Sequence, residues 1–80
     1  MNENINFDVV NALRKKGLEH YQHSNYQQAI ANFDAVLKLY PNFSMVYINR
    51  GNIFHILGNY EKAITDYNQS ININPNFADA

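Results

Sequence analysis

The sequence predicts an all-α chain built from helical hairpins, and three observations predict it. The first is self-similarity. Displaced by 34 residues, the chain aligns Gly17 with Gly51, Asn25 with Asn59, Tyr26 with Tyr60, Ala29 with Ala63, Ile30 with Ile64, and Pro41-Asn42-Phe43 with Pro75-Asn76-Phe77. Phe33 meets Tyr67, Leu37 meets Ile71 and Leu39 meets Ile73 in the same register, so apolar character persists where identity does not. A fixed period in this range marks stacked supersecondary units. The second observation is spacing: within each copy, apolar residues recur at three- and four-residue steps, the period of one helix face. The third is punctuation, because Ser24-Asn25, Pro41, Gly58-Asn59 and Pro75 interrupt that period at regular intervals.

The first helix is predicted from near Asn6 to about His23. Asn6 serves as N-cap, Asp8 places a carboxylate in the first turn, and Ile5 with Val10 has the spacing of a hydrophobic staple. Phe7, Val10, Leu13, Gly17 and His20/Tyr21 trace its apolar face, whereas residues 1–5 carry no pattern and are expected to fray. The second helix follows Asn25, whose spacing to Gln28 is that of a capping box. It presents Tyr26, Ala29, Ile30, Phe33, Val36, Leu37 and Tyr40 and ends at Pro41. The third, capped by Asn42, is predicted over about Phe43 to Leu57, with Val46, Tyr47, Ile48, Gly51, Ile53, Phe54, Ile56 and Leu57. A helix apolar on more than one side is expected to be sandwiched between neighbours. Gly58-Asn59 closes it, and a fourth helix carries Tyr60, Ala63, Ile64, Tyr67, Ile71 and Ile73 as far as Asn74-Pro75. The resulting organisation is an N-terminal extension and helix start over 1–9, repeats over 10–43 and 44–77, and the start of an incomplete third repeat at 78–80.

Glycine inside a helix costs roughly 0.5–1 kcal/mol relative to alanine, so Gly17 and Gly51 at equivalent places need a packing reason. The expected reason is close approach of the partner helix, with Ala29 and Ala63 as the facing small residues and Phe33 and Tyr67, one turn on, filling the space between hairpins.

Composition narrows the function. Eighty residues make one small domain at most, and with no cysteine there is neither a disulfide framework nor a thiolate metal site. Six Lys/Arg against seven Asp/Glu, in both halves, give a net charge of −1 and no electrostatic footprint for nucleic acid or an anionic membrane. No apolar run reaches the length of a membrane span, and Met1-Asn2-Glu3-Asn4 begins no signal peptide, so a cytoplasmic protein is expected. Asparagine occupies 14 positions, mostly among apolar residues at helical spacing, which suits caps and polar faces better than a disordered tract.

The residues resemble the tetratricopeptide repeat (TPR), a 34-residue helix-turn-helix with aromatic, Gly, Ala and Pro positions at set distances. In the second unit Tyr47, Gly51, Phe54, Tyr60, Ala63, Tyr67 and Pro75 occupy the pattern, with Arg50 in place of an apolar residue and Ser70 in place of the second alanine. In the first, Gly17, Tyr26, Ala29, Phe33 and Pro41 fit, while Leu13, His20 and Val36 depart from it. The resemblance implies a TPR-like α-solenoid that binds peptides or proteins, the first helix of each repeat lining a concave groove. The matching groove positions are Asn11, Arg14, Leu18 and Tyr21, and then Met45, Ile48, Asn49, Asn52 and His55. Some members clamp a C-terminal carboxylate with basic and Asn side chains. Arg14 and Asn49 match two clamp positions, whereas Leu18 stands where an Asn is needed and Asp79 where a Lys is needed, which favours an ordinary groove.

Sharper chemistry finds little support. His20, His23 and His55 lack the cysteine or paired carboxylates that would complete a metal site, and no cofactor is expected. Arg14-Lys15-Lys16 point in successive directions around a helix and read as a solvated face, with Arg14 alone a groove candidate. The sequons Asn42-Phe43-Ser44 and Asn68-Gln69-Ser70 carry little weight without a secretion signal. No serine has a base at a recognisable spacing and there is no phosphate-cradling glycine loop, so no enzyme is expected. Two functions remain: a module that takes a protein or peptide ligand in its groove, or a self-association element. In the second, the apolar face of the last helix near Ile64, Tyr67, Ile71 and Ile73 must be covered, either because the chain is part of a longer repeat array or because it is a homo-oligomer in which this helix packs against another copy.

Overall fold

The computed structural model describes residues 6–76 and contains four helices: α1 (Phe7–Gln22), α2 (Tyr26–Leu39), α3 (Ser44–Ile56) and α4 (Tyr60–Ile73). The chain divides after Pro41 into two compact units, in which α1 packs on α2 and α3 packs on α4. The staple partner Ile5, the fraying of 1–5, Phe77, the clamp position Asp79 and the third repeat at 78–80 lie outside the described residues.

In the first unit Asn6 caps α1 as expected, its side-chain oxygen accepting from the N–H groups of Asp8 (3.1 Å) and Val9 (3.3 Å). Two backbone bonds close the far end: Ser24 N–H donates to the Tyr21 carbonyl at 3.0 Å and Asn25 N–H to that of His20 at 2.8 Å. This is a Schellman ending, which needs its first residue beyond the cap in the left-handed region, and Ser24 takes it with φ +61°. The arrangement also explains why the capping box of Asn25 and Gln28 does not form. Its reciprocal bond needs the Asn25 N–H, which already serves His20, and the Asn25 side chain makes no capping bond. At the open end of the hairpin the rings of Phe7 and Tyr40 meet edge to face at 5.5 Å.

The helix glycine lets its partner helix approach closely, as expected, and the group that comes nearest is an aromatic ring. A Cβ at Gly17 would lie 2.6 Å from Cε1 of Phe33, so the ring expected to fill the space between hairpins lies against the glycine within its own hairpin. Phe33 is fully buried with Val10, Ala29 and Val36, the first unit's core.

The second unit repeats this plan. Gly51 lies beneath Tyr67, whose Cε1 would be 2.8 Å from an added Cβ, so here too the ring lies against the glycine of its own hairpin. α3 ends in the same Schellman pattern, Gly58 N–H to the His55 carbonyl (3.0 Å) and Asn59 N–H to that of Phe54 (2.8 Å), now with a glycine at φ +83°. Its start corrects the prediction by one residue: Pro41-Asn42 form a turn, Phe43 becomes the N-cap, and Asn42 stands outside it. The side chain of Asn59 accepts from Lys62 N–H at 3.4 Å at the start of α4. In its core Ala63 is buried together with two polar residues, Asp66 and Ser70, and Val46 and Ile53 of α3 are fully buried as well.

Candidate protein-binding surfaces

A helix turns about 100° per residue, so residues three, four and seven apart share a face. On α1 this gathers Asn11, Arg14, Leu18 and Tyr21 into an arc of about 80°. Asn11 is exposed, and the other three are half-buried, with the Tyr21 ring tilted against Tyr26 at 6.1 Å. On α3, Met45, Ile48, Asn49, Asn52 and His55 span an arc of about 120°. Met45 and His55 are exposed and the remaining three half-buried. Ile56, 49% exposed, falls within the same arc and was missed as a site residue, although its seven-residue spacing from Asn49 places it there.

Two interactions hold this face in position. Tyr67 on α4 donates its hydroxyl to Oδ1 of Asn52 at 2.6 Å, so one predicted site residue is oriented from within its own hairpin and still carries two amide N–H donors. Arg50, which replaces an apolar residue of the repeat pattern, turns away from the arc. Its Nε and Nη2 donate to the two carboxylate oxygens of Asp66 at 2.9 and 2.8 Å, a bidentate pair in which Asp66 is almost fully buried. The guanidinium carbon lies 5.6 Å from the Tyr47 ring centroid and 5.9 Å from that of Phe54, and Lys62 Nζ lies 5.4 Å from the latter. The sequence contained both ends of this cluster, but pairing residues 16 apart requires the hairpin geometry.

The α4 residues divide into two groups. Ile64 (57% exposed) and Ile71 (40% exposed) lie on one stripe with half-buried Tyr67 and with Tyr60, itself 58% exposed and missed from sequence. Ile73 does not join them, because it lies about 160° around the helix from Ile71. The His55 ring meets Tyr60 edge on at 5.2 Å, so the α3 arc and the α4 stripe adjoin at one end of the second unit.

Of the histidines, His23 caps α1 and the His20 carbonyl accepts from Asn25. Among the described residues no three potential metal ligands come together, and no helix is long and apolar enough to cross a membrane.

Paired helices with ring-on-glycine contacts, repeated at a fixed interval and presenting mixed apolar and amide faces, define a helical-repeat protein of the interaction class. The chain belongs to the tetratricopeptide repeat family: the family model matches residues 10–43 and again residues 44–77. Such repeats are generally protein–protein interaction modules and scaffolds without catalysis of their own. No curated protein matches the chain.

Proposed function

We propose that this chain binds a segment of another protein through the first-helix faces of its two repeats, and that its role is binding and not catalysis. The α3 arc carries the reading. Met45, Ile48 and Ile56 offer apolar contact, while Asn49, Asn52 and His55 offer hydrogen-bonding groups that can meet a peptide backbone, and Asn52 is already oriented by Tyr67. On α1, Asn11, Arg14, Leu18 and Tyr21 supply a second such face. The test is to select peptides on the immobilised chain and measure their affinity for Met45→Lys and Asn49→Lys. Loss of affinity by about tenfold or more in both supports the reading; unchanged affinity in both removes it.

A second reading, self-association, is favoured by the exposed α4 stripe. Tyr60, Ile64 and Ile71 are each at least 40% exposed, and contiguous apolar surface of this kind marks association sites.

A further inference from the structure

We infer that self-association, on the second reading above, is a closed antiparallel pairing of α4 with α4 of a second copy, and not head-to-tail addition. The stripe is Tyr60, Ile64, Tyr67 and Ile71, at successive spacings of four, three and four residues, the seam spacing by which helices pair. Every position on it is aliphatic or aromatic. Its counterparts one repeat earlier, Tyr26, Ile30, Phe33 and Leu37, are half-buried or buried, whereas in the second unit Tyr60, Ile64 and Ile71 are exposed and Tyr67 alone is half-buried, its ring over Gly51.

The chain offers three other helix faces as partners for this stripe, and their chemistry selects against them. Val46 and Ile53 of α3 are fully buried, whereas their equivalents on α1, Ala12 and Glu19, are exposed and are joined by exposed Asp8, Lys15 and Lys16. Docking α4 on the α1 of another copy would strip water from those charges without supplying partners. The α3 arc has apolar ends at Met45 and Ile56, but Asn49 and Asn52 stand between them and would face Ile64 and Tyr67. The outer face of α2 carries exposed Ala31, Asp34 and Lys38. Among the described residues, only a second α4 presents an apolar row of the same length with most of its positions exposed.

Direction follows from charge. Glu61 flanks the stripe near its start, and the last turn of α4 carries neither acid nor base. A parallel pair would bring Glu61 against its copy and align the two helix dipoles unfavourably. The antiparallel pair instead places Tyr60 opposite Ile71 of the second copy and Ile64 opposite Tyr67, with no like charges facing. Such an interface is self-complementary and stops at two copies.

The absence of native cysteine allows a direct test. In the antiparallel pair two copies of residue 60 are separated by about 16 Å along the helices, eleven residues at about 1.5 Å each. That is beyond the reach of a disulfide, which needs Cα atoms within about 7 Å. Tyr60→Cys and Ile71→Cys, both at exposed positions, are each oxidised alone and then mixed, while light scattering on a sizing column follows the unmodified chain and Ile64→Lys from micromolar concentration upward. The expected results are a mass that levels at two copies, a dissociation constant raised at least about tenfold by Ile64→Lys, and a disulfide dimer only in the mixture. A monomer at every concentration would overturn both self-association and this geometry. A mass rising past two copies, or disulfides formed by either variant alone, would overturn the closed antiparallel pairing and leave self-association standing.

Discussion

Replacing Gly17 with alanine tests the contact on which each hairpin is built. On an open helix the change stabilises, by about 0.8–1 kcal/mol, because alanine loses less backbone freedom on folding. Here the new Cβ would stand 2.6 Å from Cε1 of Phe33 and 3.0 Å from Cδ1 and Cζ. Carbon atoms prefer about 3.5–4.0 Å, so roughly 1 Å of overlap must be relieved. The ring is fully buried and cannot swing into solvent, so the helices must part or the ring leave its rotamer, at a cost of about 1–3 kcal/mol. At the upper end of that range, which the depth of the overlap favours, the net effect is a loss of about 1–2 kcal/mol. Urea and thermal unfolding followed by circular dichroism would then show a Tm lower by about 5–15 °C. The double variant Gly17→Ala/Phe33→Leu should lose about 1 kcal/mol less than the sum of its single changes, because the second removes the atoms the first strikes. A stabilised Gly17→Ala, or strict additivity in the double variant, would refute the reasoning.

Other substitutions probe separate features. Ser24→Gly relieves a left-handed serine that costs about 1–2 kcal/mol, against about 0.5–1 kcal/mol of extra glycine entropy, so melting should report a gain of about 0.5–1 kcal/mol. Ser70 is fully buried and its hydroxyl has no hydrogen-bond partner, so Ser70→Ala should raise stability by about 1 kcal/mol in urea titration. Asp66→Ala strands Arg50 beside a buried site and should cost about 2–4 kcal/mol, somewhat below a fully buried pair because the Arg50 side chain is 21% exposed. The paired change Arg50→Met/Asp66→Leu should recover most of that loss in the same melt.

Much of the fold was readable because the repeat states it twice. Any helix limit suggested by Pro41 or Gly58 in one copy is checked by Pro75 or Ser24 in the other, and the four helices fall within a residue or two of where periodicity puts them. Local chemistry was less readable. Asn25 has capping-box spacing, yet its N–H is taken by the end of α1, a competition between neighbouring motifs that spacing alone does not reveal. Ser24 hides a left-handed position that the 34-residue alignment with Gly58 could have exposed. The helix glycines mark close packing sites, but the rings of Phe33 and Tyr67, expected between the hairpins, lie against the glycine within their own, because ring direction depends on the helix crossing. The Arg50–Asp66 pair and the Tyr67–Asn52 bond likewise join residues that only the folded hairpin brings together.

The binding role is tested most directly by recording amide chemical shifts of the isotopically labelled chain while a selected peptide is added. The largest changes are expected at Asn11 and Leu18 on α1 and at Met45, Asn49, Asn52 and Ile56 on α3, with α2 and the α4 stripe little affected. Changes confined to α2 and α4, with those faces silent, would contradict the binding role.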